Sequence, residues 1–267
     1  MKKMTLRICL VLLLMMVLTT NNAILDAREN ETLKQQLLQG FTHALSTPEG
    51  FRSTEIFKIL GYFEPEIALI GKITPKPQSL TVEFQKNGHE FGFDSIKVVC
   101  SQVSYYNLTI ATATFEFPNC QLDGELLLQN QIRFLKSDEV KLKTEVSEAD
   151  ILKVFDLYAQ ARSLRNLRLD LRQEKAMLEG WFRQGILTVK FNLKGNVELV
   201  SPKVVNFNCE RLVLNRIPLP RNTARSMIAQ INPVFDSRKT WLNLNIDSIS
   251  ILDGFVETSA RINRREG

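Results

Sequence analysis

Apolar and polar residues alternate with a period of two along about ten stretches of this sequence, between Leu80 and Phe255. In one of them Leu187, Val189 and Phe191 are separated by polar residues. This alternation is typical of β-strands with one apolar and one polar face. Because the apolar face must be covered, the sheet must curl on itself, split into a sandwich, or wrap around helices.

One short amphipathic helix is predicted between the two strand-rich runs. Ser147 is a favourable N-cap residue, and Asp150 occupies the capping-box position three residues later. Apolar residues then recur at i, i+3, i+4 and i+7, namely at Ile151, Val154, Phe155 and Tyr158. The pattern predicts one apolar helix face with Phe155 at its centre.

Further signals divide the rest of the chain. Spacing by four predicts a first helix over 29–45, and Leu219-Pro220 opens a third helix that ends near Ile231. A change of parity between Cys209 and Leu212 predicts a β-bulge. A two-residue hairpin turn is predicted at Asn87-Gly88, a hairpin turn at Gly195-Asn196, and turns at Asp123-Gly124 and Asp253-Gly254.

Together these elements predict a mainly β protein with a few helices, of the α+β class. A long curved antiparallel sheet would wrap around short amphipathic helices and form an apolar groove. Residues 24–262 are expected to form one domain, followed by a basic tail over 263–267. A weak echo between 100–110 and 209–219 suggests pseudo-repeat halves at 51–145 and 146–262, although coincidence among strand patterns explains it nearly as well.

The N-terminus predicts export. Lys2, Lys3 and Arg7 precede the apolar run Ile8–Leu18, which is shorter than the ~20 residues that span a bilayer. We expect a signal peptide over 1–23 and a periplasmic or membrane-associated protein. An uncleaved membrane anchor is the alternative, since Asn21 is unfavourable three positions before the cleavage point.

Charge and composition argue against several classes of function. The chain has 34 basic and 29 acidic residues, so removing three basic residues with the signal peptide leaves 31 against 29, a net charge of about +2. This does not provide the basic face that a nucleic-acid partner requires. His43 and His89 lack metal-ligand spacing, and no catalytic motif is present, so the sequence predicts neither an enzyme, a metal site nor a cofactor.

Cys100, Cys120 and Cys209 remain after the signal peptide. An odd number leaves at least one free thiol, and small buried residues are the favoured interpretation. A Cys100–Cys120 pair is conceivable if their strands are neighbours.

Three stretches resemble the LmeA-like phospholipid-binding family of exported bacterial proteins, which are related in shape to tubular lipid-binding domains. They are the helix opening Val146–Ile151, the strand series from Leu164 to Leu219 before Pro220, and the closing hairpin Ile249–Val256. The resemblance implies a curved sheet around helices and an apolar cavity for acyl chains. The longer N-terminal helix and the three cysteines depart from the family pattern.

The sequence thus predicts an exported, non-enzymatic protein whose partner is a phospholipid or other acyl lipid, in contact with a membrane surface. The expected lining of the groove consists of apolar positions on the helices and the strands, namely Ile151, Val154, Phe155, Tyr158, Leu167, Leu169, Val189, Phe191, Met227, Ile228, Ile231 and Phe235. If helix ends meet at the groove mouth, Arg162, Arg165, Arg221 and Arg225 could hold a head-group phosphate, although ordinary solvated arginines are the favoured interpretation. The alternative function is an envelope structural or interaction protein with a fully packed β core.

Overall fold

The structure is a computed structural model, which describes residues 28–62, 76–105, 108–161, 164–184, 187–229, 232–239 and 244–264. The expected signal peptide over 1–23 lies outside the described residues, as do Arg162, Ile231 and 265–267 of the basic tail. Tyr158 belongs to a helix, but its side chain lies outside the described part of the chain.

The helices are short apart from the first and the fifth. Their bounds are α1 (28–46), α2 (Pro48–Ser53), α3 (Ile56–Ile59), α4 (Gly124–Leu128), α5 (Glu148–Ala161) and α6 (Arg221–Ala229), with a 3-10 turn at Ser237–Lys239. The predicted first helix is therefore confirmed as α1, and the predicted central helix as α5.

The strands form two curled antiparallel sheets, as the α+β prediction of a curved sheet requires. The first sheet has the order β1-β2-β3-β5-β13-β12, with β4 paired to β3. Its strands are β1 (Ser79–Lys86), β2 (Gly92–Tyr105), β3 (Leu108–Leu122), β4 (Phe134–Lys136), β5 (Glu139–Ser147), β12 (Asn245–Leu252) and β13 (Phe255–Asn263).

The second sheet has the order β10-β9-β8-β7-β6, with β11 paired to β9. Its strands are β6 (Leu164–Arg172), β7 (Lys175–Gln184), β8 (Leu187–Ser201), β9 (Val204–Leu214), β10 (Ile217–Pro218) and β11 (Phe235–Asp236). The pseudo-repeat stays a prediction. The final hairpin β12–β13 follows this sheet in sequence but pairs with β5 of the first sheet.

Two of the predicted local features are confirmed. Asp253-Gly254 forms the two-residue turn of the last hairpin, in which Leu252 pairs with Phe255. The predicted bulge lies in β9, where Lys194 pairs with Arg211 but Gly195 pairs with Cys209, so Glu210 is the extra residue.

Three of the predicted turns need correction. Gly195-Asn196 lies inside the long strand β8 and forms no turn. Glycine is needed at position 195 because a side chain there would collide with the Asn208 carbonyl on β9. Asp123-Gly124 begins helix α4, because the Asp123 carboxylate accepts the Leu126 N–H at 3.1 Å as an N-cap. Asn87-Gly88 does connect β1 to β2, but the connection spans 87–91 and is longer than a two-residue hairpin.

A large core lies between α1 and the first sheet. Its aromatic centre brings the Phe117 ring within 5.7 Å of Phe41 and 4.8 Å of Phe134, measured between ring centroids. A cavity of only about 30 Å³ lies beside these rings. The core around the rings is therefore closely packed.

Candidate functional site

The inner face of the second sheet is apolar because its alternating residues stay in register across neighbouring strands. Leu169 on β6 pairs with Leu178 on β7, and Leu178 pairs with Leu193 on β8. Nearer the opposite end of the strands, Phe182 on β7 pairs with Val189 on β8. Paired residues point to the same side of a sheet, so these side chains form one continuous apolar face.

Helix α5 covers one side of this face, and its first turn fixes it there. The Ser147 hydroxyl accepts the Asp150 N–H at 3.2 Å, as the capping sequence predicts. The Glu148 carboxylate accepts the Leu171 N–H at 2.8 Å, and the Glu148 N–H donates to the Gly254 carbonyl at 2.8 Å. The helix is thus attached both to β6 of the second sheet and to the β12–β13 hairpin.

The Asp150 carboxyl that completes this cap is buried and 8% exposed. Burial opposes its ionisation and is the largest single effect on its pKa. Hydrogen bonds from the Lys153 ammonium and the Ser147 hydroxyl outweigh that effect, so the pKa of Asp150 lies below its usual value. The ionised cap therefore contributes to holding α5 in place.

Helix α6 covers the other side of the inner face, above β9. Ala224 and Ile228 pack against Cys209 and Leu212. Beyond the helix, the Asn232 side chain accepts the Phe207 N–H at 2.9 Å and donates to the Phe207 carbonyl at 3.0 Å. This pair of bonds anchors the segment that follows α6 to the same strand.

The helices contact β6 and β9, and residues of the inner face on the intervening strands β7 and β8 remain partly exposed. We call this region the groove and define its floor as Phe182, Val189 and Phe191, which are all half-buried. On the α5 side Phe155 lies one turn beyond Ile151, on the same helix face, and is 39% exposed. The groove therefore presents apolar side chains that the protein buries only in part.

Gly180 on β7 allows the floor to pack. A Cβ atom at this position would lie 2.5 Å from Leu167 Cδ2 and 2.9 Å from Phe191 Cζ. The absence of a side chain lets Leu167 and Phe191 approach each other across the strand.

The predicted lining residues fall into three groups in the structure. Leu167, Leu169 and Ile228 are buried at 7–8% exposure and form the packed base beneath the helices. Ile151, Val154, Val189 and Phe191 are half-buried. Phe155, Met227 and Phe235 are exposed at 38–42%, although Phe235 lies on β11, beyond β9 from the groove floor.

The predicted head-group arginines are only partly brought together. Arg221 and Arg225 are exposed on successive turns of α6. Arg225 lies near Cys209 on β9: burial raises the pKa of that thiol, and the positive charge of Arg225 is one of the effects that lower it. Arg165 pairs with Trp181, whose neighbours Gly180 and Phe182 belong to the inner face, so Arg165 lies on the outer face of the second sheet.

Charged and aromatic residues of the outer face border a concavity of about 400 Å³ that the sequence did not predict. We call it the outer pocket, and its lining residues are Asn166, Leu167, Arg168, Glu179, Gly180, Trp181 and Lys190. The sequence signal was Trp181 itself, a large aromatic residue on the polar side of an alternating strand. It could have been recognised as unusual, because polar strand positions more often carry charged or hydroxyl side chains.

Within the described ranges no three His, Cys, Asp or Glu residues lie together as a possible metal site. Nor does any helix among these residues have the length and apolar character to cross a membrane. Comparisons with family models, with curated proteins and with solved structures found no match to this chain.

Proposed function

We propose that this protein is an exported, non-enzymatic lipid-binding protein that holds phospholipid acyl chains in the groove. The proposal places it in the periplasm or at a membrane surface, where it would carry lipid or maintain the envelope. It requires neither a cofactor nor a metal. The resemblance to the LmeA-like family favours the same function.

The incompletely covered floor of the groove is the observation that carries this proposal. Phe182, Val189 and Phe191 belong to the apolar inner face of the second sheet, yet they remain half-buried. Removing apolar surface from water contributes about 25 cal/mol per Å². A flexible acyl chain along the floor would gain this energy, whereas a polar ligand would lose its hydration there.

The alternative, an envelope protein without a lipid site, is favoured by the packing of the first sheet. The cavity between α1 and that sheet, at about 30 Å³, is too small to hold an acyl chain. This cavity therefore does not compete with the groove as a lipid site.

Extraction of the purified protein with organic solvent, followed by mass spectrometry, tests the proposal. We expect phospholipid to co-purify with the wild-type protein. Phe155→Asp should stay folded, since this side chain is 39% exposed, and should lose the lipid because a carboxylate on the α5 side of the groove repels acyl chains. The matched control is Leu135→Asp on β4, another exposed apolar residue at 53% exposure that lies outside the groove.

If Phe155→Asp contains as much lipid as Leu135→Asp and the wild type, the lipid binds outside the groove. A wild-type protein that contains no lipid and takes up none from labelled vesicles would support the packed-core alternative.

A further inference from the structure

The outer pocket is formed by a bulge between β6 and β7. Arg165 pairs with Trp181 and Arg168 pairs with Glu179, so two residues of β6 face Gly180 alone. Asn166, the first of these two, has a left-handed backbone with φ of 52°. A bulge interrupts the ladder of hydrogen bonds and bends the strand. The interruption leaves Leu167 and Gly180 among the residues that line the outer pocket.

The walls of the pocket carry an excess of positive charge. Arg168 and Lys190 line it, and Arg165 lies beside it, opposite Trp181. The one acidic residue of the lining, Glu179, lies 4.0 Å from the Lys190 ammonium and accepts a hydrogen bond from the Asn192 amide. Neither Arg165 nor Arg168 forms an ion pair with any residue that the structure describes.

Trp181 provides the apolar surface of the pocket and is 38% exposed. An indole ring combines a broad apolar face with one N–H donor, a combination that suits ligands with both apolar and polar parts. A volume of about 400 Å³ is within the usual range for small-molecule sites. The pocket could therefore hold more than a single inorganic ion.

We propose that the outer pocket binds a phosphate ester. The Arg168 guanidinium can donate two parallel hydrogen bonds to a phosphate, and the Lys190 ammonium adds a second charge-assisted bond. The organic part of the ester would pack on the Trp181 ring. Arg168 and Lys190 lie on the outer face of the sheet, whereas the groove floor lies on the inner face, so substitutions at these two residues test the pocket without changing the floor.

Fluorescence of Trp181 provides a direct measurement. The sequence has two tryptophans, so Trp241→Phe leaves Trp181 as the single reporter. This protein is titrated with glycerol 3-phosphate, with phosphatidylglycerol vesicles and with phosphatidylcholine vesicles. We expect a saturable change in emission with glycerol 3-phosphate, or with phosphatidylglycerol vesicles if the ester is a lipid head group.

Substitutions decide whether the response comes from the pocket. We expect Arg168→Gln and Lys190→Gln to weaken the apparent affinity about tenfold each. The matched control is Arg172→Gln, which removes a charge from the same strand outside the lining, where Arg172 pairs with Asp170. It should change the affinity less than about twofold, as expected for an exposed charge away from the ligand.

Two results would overturn the proposal. One is a Trp181 emission that stays unchanged with all three probes while circular dichroism shows a folded protein. The other is a response that Arg168→Gln, Lys190→Gln and Arg172→Gln all reduce to the same extent, which would indicate attraction to net charge alone. A response confined to glycerol 3-phosphate assigns a soluble ester, and one confined to phosphatidylglycerol assigns a lipid head group.

Discussion

The Glu148 carboxylate in the first turn of α5 accepts the backbone N–H of Leu171 at 2.8 Å, across 23 residues of sequence. A carboxylate near a helix N-terminus is already favourable, because it interacts with the positive end of the helix dipole. Here the same group also satisfies a strand donor on β6. One side chain therefore fixes where α5 lies on the second sheet.

Glu148→Ala should lower the free energy of unfolding by about 1.5–3 kcal/mol, the usual contribution of a hydrogen bond to a charged group. The Leu171 N–H would lose its acceptor at a partly buried position. Urea denaturation measures the change. Glu90→Ala, which removes a solvent-exposed carboxylate, should be nearly neutral. Equal effects of the two substitutions would show that the bond to Leu171 does not stabilise the fold.

Phe155→Ala should cost much less stability than Phe93→Ala. The Phe93 side chain is 0% exposed in the first core, so its truncation should cost about 3–5 kcal/mol. The Phe155 side chain is 39% exposed, and we expect a loss of about 1 kcal/mol or less from protein stripped of lipid. Thermal denaturation compares the two. Similar losses in melting temperature would mean that Phe155 is packed rather than facing the groove.

The cap of α5 should titrate. Because the folded pKa of Asp150 lies below its unfolded value, ionised Asp150 contributes stability above the unfolded pKa of about 3.9, and this contribution disappears as the pH falls further. The difference in unfolding free energy between wild type and Asp150→Asn should therefore shrink below pH of about 4. Denaturation between neutral and acidic pH measures it. A difference that is constant with pH would contradict this assignment.

The Ser147 hydroxyl can be tested separately at neutral pH. Ser147→Ala should destabilise the protein by about 1 kcal/mol, the usual effect of losing an N-cap. Ser147→Thr, which keeps a hydroxyl for the Asp150 N–H and carboxylate, should recover most of that loss. A threonine variant as unstable as the alanine variant would contradict the role of the hydroxyl.

The thiols should be nearly unreactive in the folded protein. Burial raises the pKa of Cys100 and of Cys120 to about 12, so very little thiolate is present at neutral pH. Cys209 should react before them, because burial raises its pKa but the Arg211 backbone N–H and the Arg225 charge partly offset that rise. Labelling with an aromatic disulfide reagent in a Cys9→Ser background, followed by peptide mapping, gives the order. Immediate labelling of Cys100 or Cys120 in folded protein would contradict the buried positions.

Local chemistry in the sequence predicted the elements whose causes are local. The Ser147 cap, the Asp253-Gly254 turn and the β9 bulge each depend on a few neighbouring residues. The apolar faces of α1 and the strands were likewise readable from their periodicity. These features supported the correct fold class.

Features that depend on a distant partner were missed. Gly195 resembles a turn residue, but its function is to admit the Asn208 carbonyl of the neighbouring strand. Arg165 was expected beside Arg221 and Arg225, yet its position on β6 places it opposite Trp181. Sequence gives the order of residues on a strand, whereas a bulge or a long-range register decides which face each residue occupies.

The position of the final hairpin has a consequence for the order in which the fold can be completed during synthesis. Strand β5 pairs along its whole length with β13, from Glu139 opposite Asn263 to Ser147 opposite Phe255. A nascent chain that has emerged only as far as α6 therefore leaves one side of β5 without its partner. Such an open strand edge can pair with another chain, and contacts between distant residues form slowly. The first sheet is therefore completed only after the last hairpin has been made.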